Sequence, residues 1–236
     1  MTIPPNRSTN RPSFAQKRFE PPPGSCEILL VRHGASEPLV AGESFPLLDG
    51  QGDPGLAPNG VEQAEVAARR LEHEPITAIY TSSMRRTHQT AAPLVARLGL
   101  EPVVDADLRE VHLGDWEGGL LRQKAAEGDP LYARIVAERR WDVIPNAEPD
   151  DVFAARTSAA VGRIAARHPD EVVAVFCHGG VIGALCAHAT GGESFAFAGA
   201  DNCSVSHIVV TPDRWVLRRF NDSTHLYPRV ALRSTT

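Results

Sequence analysis

The chain has 236 residues, is 42% hydrophobic and 22% charged, and carries a formal net charge of -5. That length fits one large α/β domain or two small ones with a sizeable core. The negative balance argues against a nucleic-acid partner, so a local cluster of cations would be purposeful. Cys26, Cys177, Cys186 and Cys203 are too few and too scattered for a disulfide framework and read as reduced, buried thiols.

Residues 1–24 are rich in proline and basic residues and lack an apolar signal core, so they read as a flexible leader, draped or mobile as far as about Phe19. No apolar run approaches the ~20 residues a membrane span needs, and the expected location is the cytoplasm. The domain proper is expected over 25–236. Ile28–Leu29–Leu30–Val31 is an apolar run of strand length that stops at Arg32–His33–Gly34. A cation and an imidazole therefore sit at the carboxyl end of a buried strand, where ligands bind in open α/β sheets.

An irregular loop follows, from Gly34 to Pro58. A helix is expected from Pro58, a good first-turn residue, to Leu71, with Val61, Ala64, Ala68 and Leu71 as its apolar stripe. Ile76–Thr81 reads as a strand. Ser82–Ser83 reads as the N-cap of a helix that runs to Leu98 and stops at Gly99, with Arg85 and Arg86 in its first turn. Pro102–Val104 is a short strand leading to Leu108–Gly118. Residues 119–141 look helical and polar, with few strong core positions, like an inserted cap extending to about 147. Pro149–Arg167 reads as an amphipathic helix and Glu171–Cys177 as a strand ending at His178–Gly179–Gly180. Val181–Ala189 is helical, and Ser204–Val210 and Trp215–Phe220 close the chain as a strand pair. The alternation predicts a mostly parallel central sheet with helices on both faces.

Strand ends in such a sheet lie side by side, which gathers Arg32–His33–Gly34, the Ser82–Arg86 turn and His178–Gly179. Guanidinium forks and helix N-termini both favour phosphate oxygens, and two imidazoles add a nucleophile. There is no His-Glu-x-x-His helix, no Cys-x-x-Cys pair and no Gly-x-x-x-x-Gly-Lys loop, so neither a metal site, a cofactor nor P-loop chemistry is indicated. Cys177 beside His178 faces the other way along a strand and reads as core. His112, His188, His207 and His225 read as packing or hydrogen-bonding residues.

Leu30–Gly34, Ser83–Ala91, Leu108–Gly118 and His178–Gly180 resemble, in order, the motifs of the histidine phosphatase (phosphoglycerate-mutase-like) superfamily, over about Glu27–Leu226. The resemblance implies that fold, with a phosphohistidine formed on His33 and the phosphoryl oxygens held by Arg32, Arg86 and His178. It implies Glu110 as proton donor, and a small phosphorylated substrate, phosphate or another oxyanion in the pocket. Where the mutases carry Glu-Thr or Gln-Ser followed by Trp-Asn, this chain has Ala35–Ser36–Glu37–Pro38–Leu39. That departure favours a metal-independent phosphomonoesterase over a phosphoglycerate-type mutase, with a non-catalytic phospho-ligand module as the remaining alternative. Ser36 and Gly179 are possible substrate contacts. The 38–55 loop and the 119–141 insertion are expected to roof the pocket through Arg122, Lys124 and Trp141. Oligomeric state is not encoded legibly.

Overall fold

The computed structural model describes residues 14–227. Strand β1 (Cys26–Arg32) lies inside a six-stranded sheet with β4 (Ile76–Thr81), β5 (Val103–Val104), β6 (Val172–Cys177), β7 (Val205–Val210) and β8 (Trp215–Asp222), in the order β5-β4-β6-β1-β7-β8. The first four run parallel, β7 pairs antiparallel with β1, and β8 pairs antiparallel with β7. Because both faces are covered, β1 is a continuous apolar run rather than an alternating one. Ile28 and Leu30 enter the core under α5 (Asp150–Arg167) and α6 (Gly179–Thr190). Leu29 and Val31 enter the core under α1 (Pro58–Leu71) and α2 (Arg85–Leu98). Truncating the fully buried Leu30 to alanine costs ~2–5 kcal/mol.

The register aligns the chemistry. Arg32 pairs with Cys177 and Thr81 with Phe176. The next residues stay in the ladder: the His33 amide donates to Cys177 O (3.0 Å) and the Ser82 amide to Phe176 O (3.2 Å). His33, Ser82 and His178 thus leave three neighbouring strands at one end of the sheet.

Four local expectations are corrected. Val61 is 51% exposed, and the inner face of α1 is Gly60, Ala64, Ala67, Ala68 and Leu71. Gly60 sits against the backbone after β1, so the next residue turns ~100° away. A Cβ at Gly60 would lie 2.0 Å from Ala35 O, and one at Gly34 would lie 2.6 Å from Gly60 O. Helix α2 begins at Arg85 with no side-chain cap, because the Ser82 hydroxyl is bonded to His178 and Thr87.

The loop after His33 contains a hairpin of β2 (Leu47–Leu48) and β3 (Gln51–Gly52). Its turn residues Asp49 and Gly50 both have positive φ (49° and 84°), as the Asp-Gly dipeptide signals. The insertion, with α3 (Leu120–Glu127) and α4 (Pro130–Glu138), has a small core of its own. Trp116, Ile135 and Ile144 are buried there, with Leu121, Leu131, Trp141 and Phe195 packed around them.

The expectation for the leader falls in part on residues 1–13, outside the described residues. Further on, the Phe19 ring lies 4.1 Å from the Arg218 guanidinium carbon, and the Gly24 amide donates to Asp170 Oδ1 (2.6 Å). Among the described residues, no helix is long and apolar enough to cross a membrane.

Candidate active site

His33 is 7% exposed, and its backbone is held on both sides of the strand end. Its carbonyl accepts from Asn202 Nδ2 (2.9 Å), and the Cys203 amide donates to Arg32 O (3.0 Å). The imidazole Nδ1 lies 2.8 Å from Gly34 O. A carbonyl only accepts, so the proton resides on Nδ1 and the lone pair on Nε2. Burial first, then the Arg86 and Arg32 charges, push this imidazole well below its ordinary value of 6.5. It is neutral and nucleophilic at neutral pH.

The cations arrive from three elements. Arg32, at the end of β1, donates through Nη1 to Ala200 O, while its Nε is buried without a partner among the described residues. Arg86, in the first turn of α2 and 8% exposed, donates through Nη1 to Gly52 O (3.1 Å) and stands 3.9 Å from Asp53 Oδ1. Arg122, from α3, donates to Glu37 O (2.8 Å) and Ser36 Oγ (2.7 Å), both neutral acceptors. Arg85 is exposed beside Asp53.

His178 is fully buried at the N-terminus of α6, its ring centroid 5.2 Å from that of His33. Its Nε2 is 2.9 Å from Ser82 Oγ, and its Nδ1 has no partner among the described residues. Burial first, then the Arg86 charge, push it well below 6.5.

Glu110 closes the other side. Its Oε2 accepts from the Gly180 amide (3.0 Å) and its Oε1 from the Val111 amide (3.1 Å). Its carbonyl is held by Gln51 Nε2 and Arg156 Nη2, both at 2.9 Å. Arg156, on α5, also donates to Asp107 O and Arg109 O (2.7 and 2.8 Å) and forks onto both oxygens of Glu148 (2.6 and 2.8 Å). One guanidinium thus ties the Glu110 loop to the core. Glu117 accepts the Leu113 and Gly52 amides (both 2.7 Å) and stitches the hairpin to the cap.

The structure therefore brings Arg32, His33, Arg86, Glu110 and Arg122 around one cavity of about 190 Å³, with His178 beneath it against the His33 ring. The Ser36 hydroxyl is engaged by Arg122. Gly179 is packed against Arg32, where a Cβ would stand 3.4 Å from Nε. Lys124 is corrected: it pairs with Asp129 (2.9 Å) on the cap and does not line the cavity.

Sequence reasoning missed Gln51, Arg156 and Asn202. The Asp49–Gly50 turn signal points to Gln51. The other two are single residues in a helix and a loop, with no local signature. Cys177 lies in the core, its thiol pushed up by burial, and Cys203 beside Arg32 is pushed up to about 12; neither is a poised nucleophile. Among the described residues no three His, Cys, Asp or Glu side chains gather as a metal cluster.

A mostly parallel sheet that presents a buried, neutral histidine among guanidiniums at its strand ends forms a pocket suited to a phosphoryl group. The sequence profile of the histidine phosphatase superfamily (branch 1) matches residues 28–223, and the chain belongs to that superfamily. It is 34% identical over 206 residues to phosphoglycerate mutase-like protein 4 of Arabidopsis thaliana, covering 85% of this chain and 87% of that one. It is 31% identical over 204 residues to a metal-independent phosphoserine phosphatase of the same plant, covering 85% and 83%. Among solved structures, a mycobacterial glucosyl-3-phosphoglycerate phosphatase complexed with inorganic phosphate superposes with a TM-score of 0.69 at 29% identity. The superposition spans 85% of this chain and 99% of that one. The chain is thus a histidine phosphatase, a phosphoric monoester hydrolase.

Proposed function

We propose that the protein hydrolyses a small phosphomonoester through a phosphohistidine on His33. The observation that carries the reading is the Nδ1···Gly34 O contact at 2.8 Å, which leaves Nε2 as the nucleophile in a cavity walled by Arg32, Arg86 and Glu110. Nε2 attacks phosphorus as the bond to the leaving oxygen breaks, and Glu110 acts as the general acid that gives that oxygen its proton. Water then attacks phosphorus, Glu110 takes a proton back, the N–P bond breaks and phosphate leaves.

The phosphoryl group is handed on without a metal because its charge is met by fixed cations and dipoles. Arg32 Nε and His178 Nδ1, both buried without a protein partner among the described residues, suit oxyanion binding. The Ser82 hydroxyl lies 2.9 Å from His178 Nε2; in the tautomer with the proton on Nδ1, that nitrogen donates to a phosphoryl oxygen. The N-terminus of α6 adds its positive end.

Phosphate release across a panel of phosphometabolites, wild type against His33→Ala, tests the reading. Release by the wild type and none by the variant is expected; retained turnover in His33→Ala overturns it. Product analysis separates hydrolysis from phosphoryl return to a second hydroxyl, the mutase outcome.

A further inference from the structure

We propose that the leaving alcohol of the substrate carries an uncharged ring, received in a second lobe of the cavity walled by Trp141 and Phe195. The inference rests on the phosphatase reading and adds the substrate class. The second lobe has a volume of about 220 Å³ and shares Arg32, Glu110 and Leu121 with the phosphoryl lobe. Glu110 borders both lobes, so with the phosphoryl group on His33 and the leaving oxygen facing Glu110, we place the alcohol on the side of the second lobe.

Beyond Arg32 and Glu110, the lobe is bounded by Leu121, Trp141, Ser194, Phe195, Ala198 and glycine backbone, with no further ionisable side chain. Arg32 already serves Ala200 O and the phosphoryl position. A carboxylate or ammonium placed there would lose its hydration without a counterion, which is costly. The aromatic pair invites the opposite kind of group. The Trp141 and Phe195 rings have centroids 5.0 Å apart, are tilted by 42°, and are only partly buried. A guest ring can lie against the pair in the offset or edge-on geometry that aromatic rings prefer.

The two walls come from different parts of the chain: Trp141 follows α4 in the cap, and Phe195 lies in the short turn Ser194–Phe197 after α6. The cap thereby sets which alcohol is accepted, while the strand ends set the chemistry.

The test compares benzyl phosphate, ethyl phosphate, O-phosphoserine and 3-phosphoglycerate, all esters of poorly acidic alcohols, so that leaving-group reactivity does not decide the order. The expected kcat/KM for benzyl phosphate exceeds each of the others by roughly tenfold to a hundredfold, the span a hydrophobic pocket commands. Trp141→Leu should collapse that preference, mainly through KM. Since Trp141 also packs the cap, binding to the wild type is the second measurement: benzylphosphonate should inhibit about tenfold more tightly than methylphosphonate. Equal kcat/KM values, a preference for the charged esters, or equal inhibition by the two phosphonates would overturn the ring lobe while leaving the phosphatase reading intact. No phosphate release from any ester would overturn both.

Discussion

The Gly180 amide donates to Glu110 Oε2 at 3.0 Å, and a Cβ at position 180 would stand 2.4 Å from Glu110 Oε1. The second residue of the helix after His178 therefore fixes the carboxylate that we propose to work on the leaving oxygen, and does so only as glycine. Gly180→Ala should displace Glu110 and lower kcat roughly ten- to a hundredfold, within the range general-acid catalysis commands. Binding of inorganic phosphate should be retained. Steady-state kinetics with phosphate as inhibitor checks this; an unchanged kcat would contradict it.

Arg156 holds the Glu110 loop through three carbonyls and one carboxylate. Arg156→Met strands the Glu148 carboxylate, which is 13% exposed, and the expected loss is about 3 kcal/mol. Arg156→Lys should recover little, since an ammonium cannot present the same planar fork. Urea denaturation of the three proteins is the measurement, and equal midpoints would refute the tie.

Gly34 and Gly60 meet backbone to backbone, which brings α1 against the loop that follows His33. Gly60→Ala should cost ~1–3 kcal/mol by overpacking and depress turnover through displacement of residues 33–35. Gly162, inside α5, has nothing within 4 Å of its notional Cβ. Gly162→Ala should instead stabilise by about 0.5–1 kcal/mol through helix propensity. Thermal melts of the pair should move in opposite directions; a shift of the same sign in both would undo the argument.

His33 and His178 are both pushed well below 6.5, first by burial and next by Arg86. An unfolded chain takes up protons at these positions as pH falls through about 6.5 while the folded one refuses them. Stability is therefore full above that value and declines below it, by at most ~1.4 kcal/mol per pH unit for each histidine. Denaturation midpoints from pH 7.5 to 5 should fall, and His178→Asn should fall less steeply. Identical slopes would contradict the assignment.

The strand ends were legible because chemistry and secondary structure share one stretch there. The apolar run before Arg32–His33 and that before His178 fix both the sheet and the residues it presents. Helix α1 was legible in extent and, through Ala64, Ala68 and Leu71, in facing; its first turn was misplaced at Val61, since Gly60 shows no hydrophobicity although it makes the closest approach. The polar content of the insertion hid a core assembled from Trp116, Ile135 and Ile144, which are spread over three short segments. Residues that act through backbone atoms, such as Asn202 on His33 O or Arg156 on three carbonyls, leave no pattern in a sequence. Their partners are carbonyl groups, which every residue has.

The phosphohistidine is tested most directly by mixing enzyme with a turned-over phosphomonoester, quenching in alkali within one turnover, and mapping the phosphoryl group by peptide mass spectrometry. The account predicts one phosphoryl group on the His33 side chain, chased by water and absent from His33→Ala. An active enzyme with no phosphoryl group on His33, or with one on another residue, would contradict it.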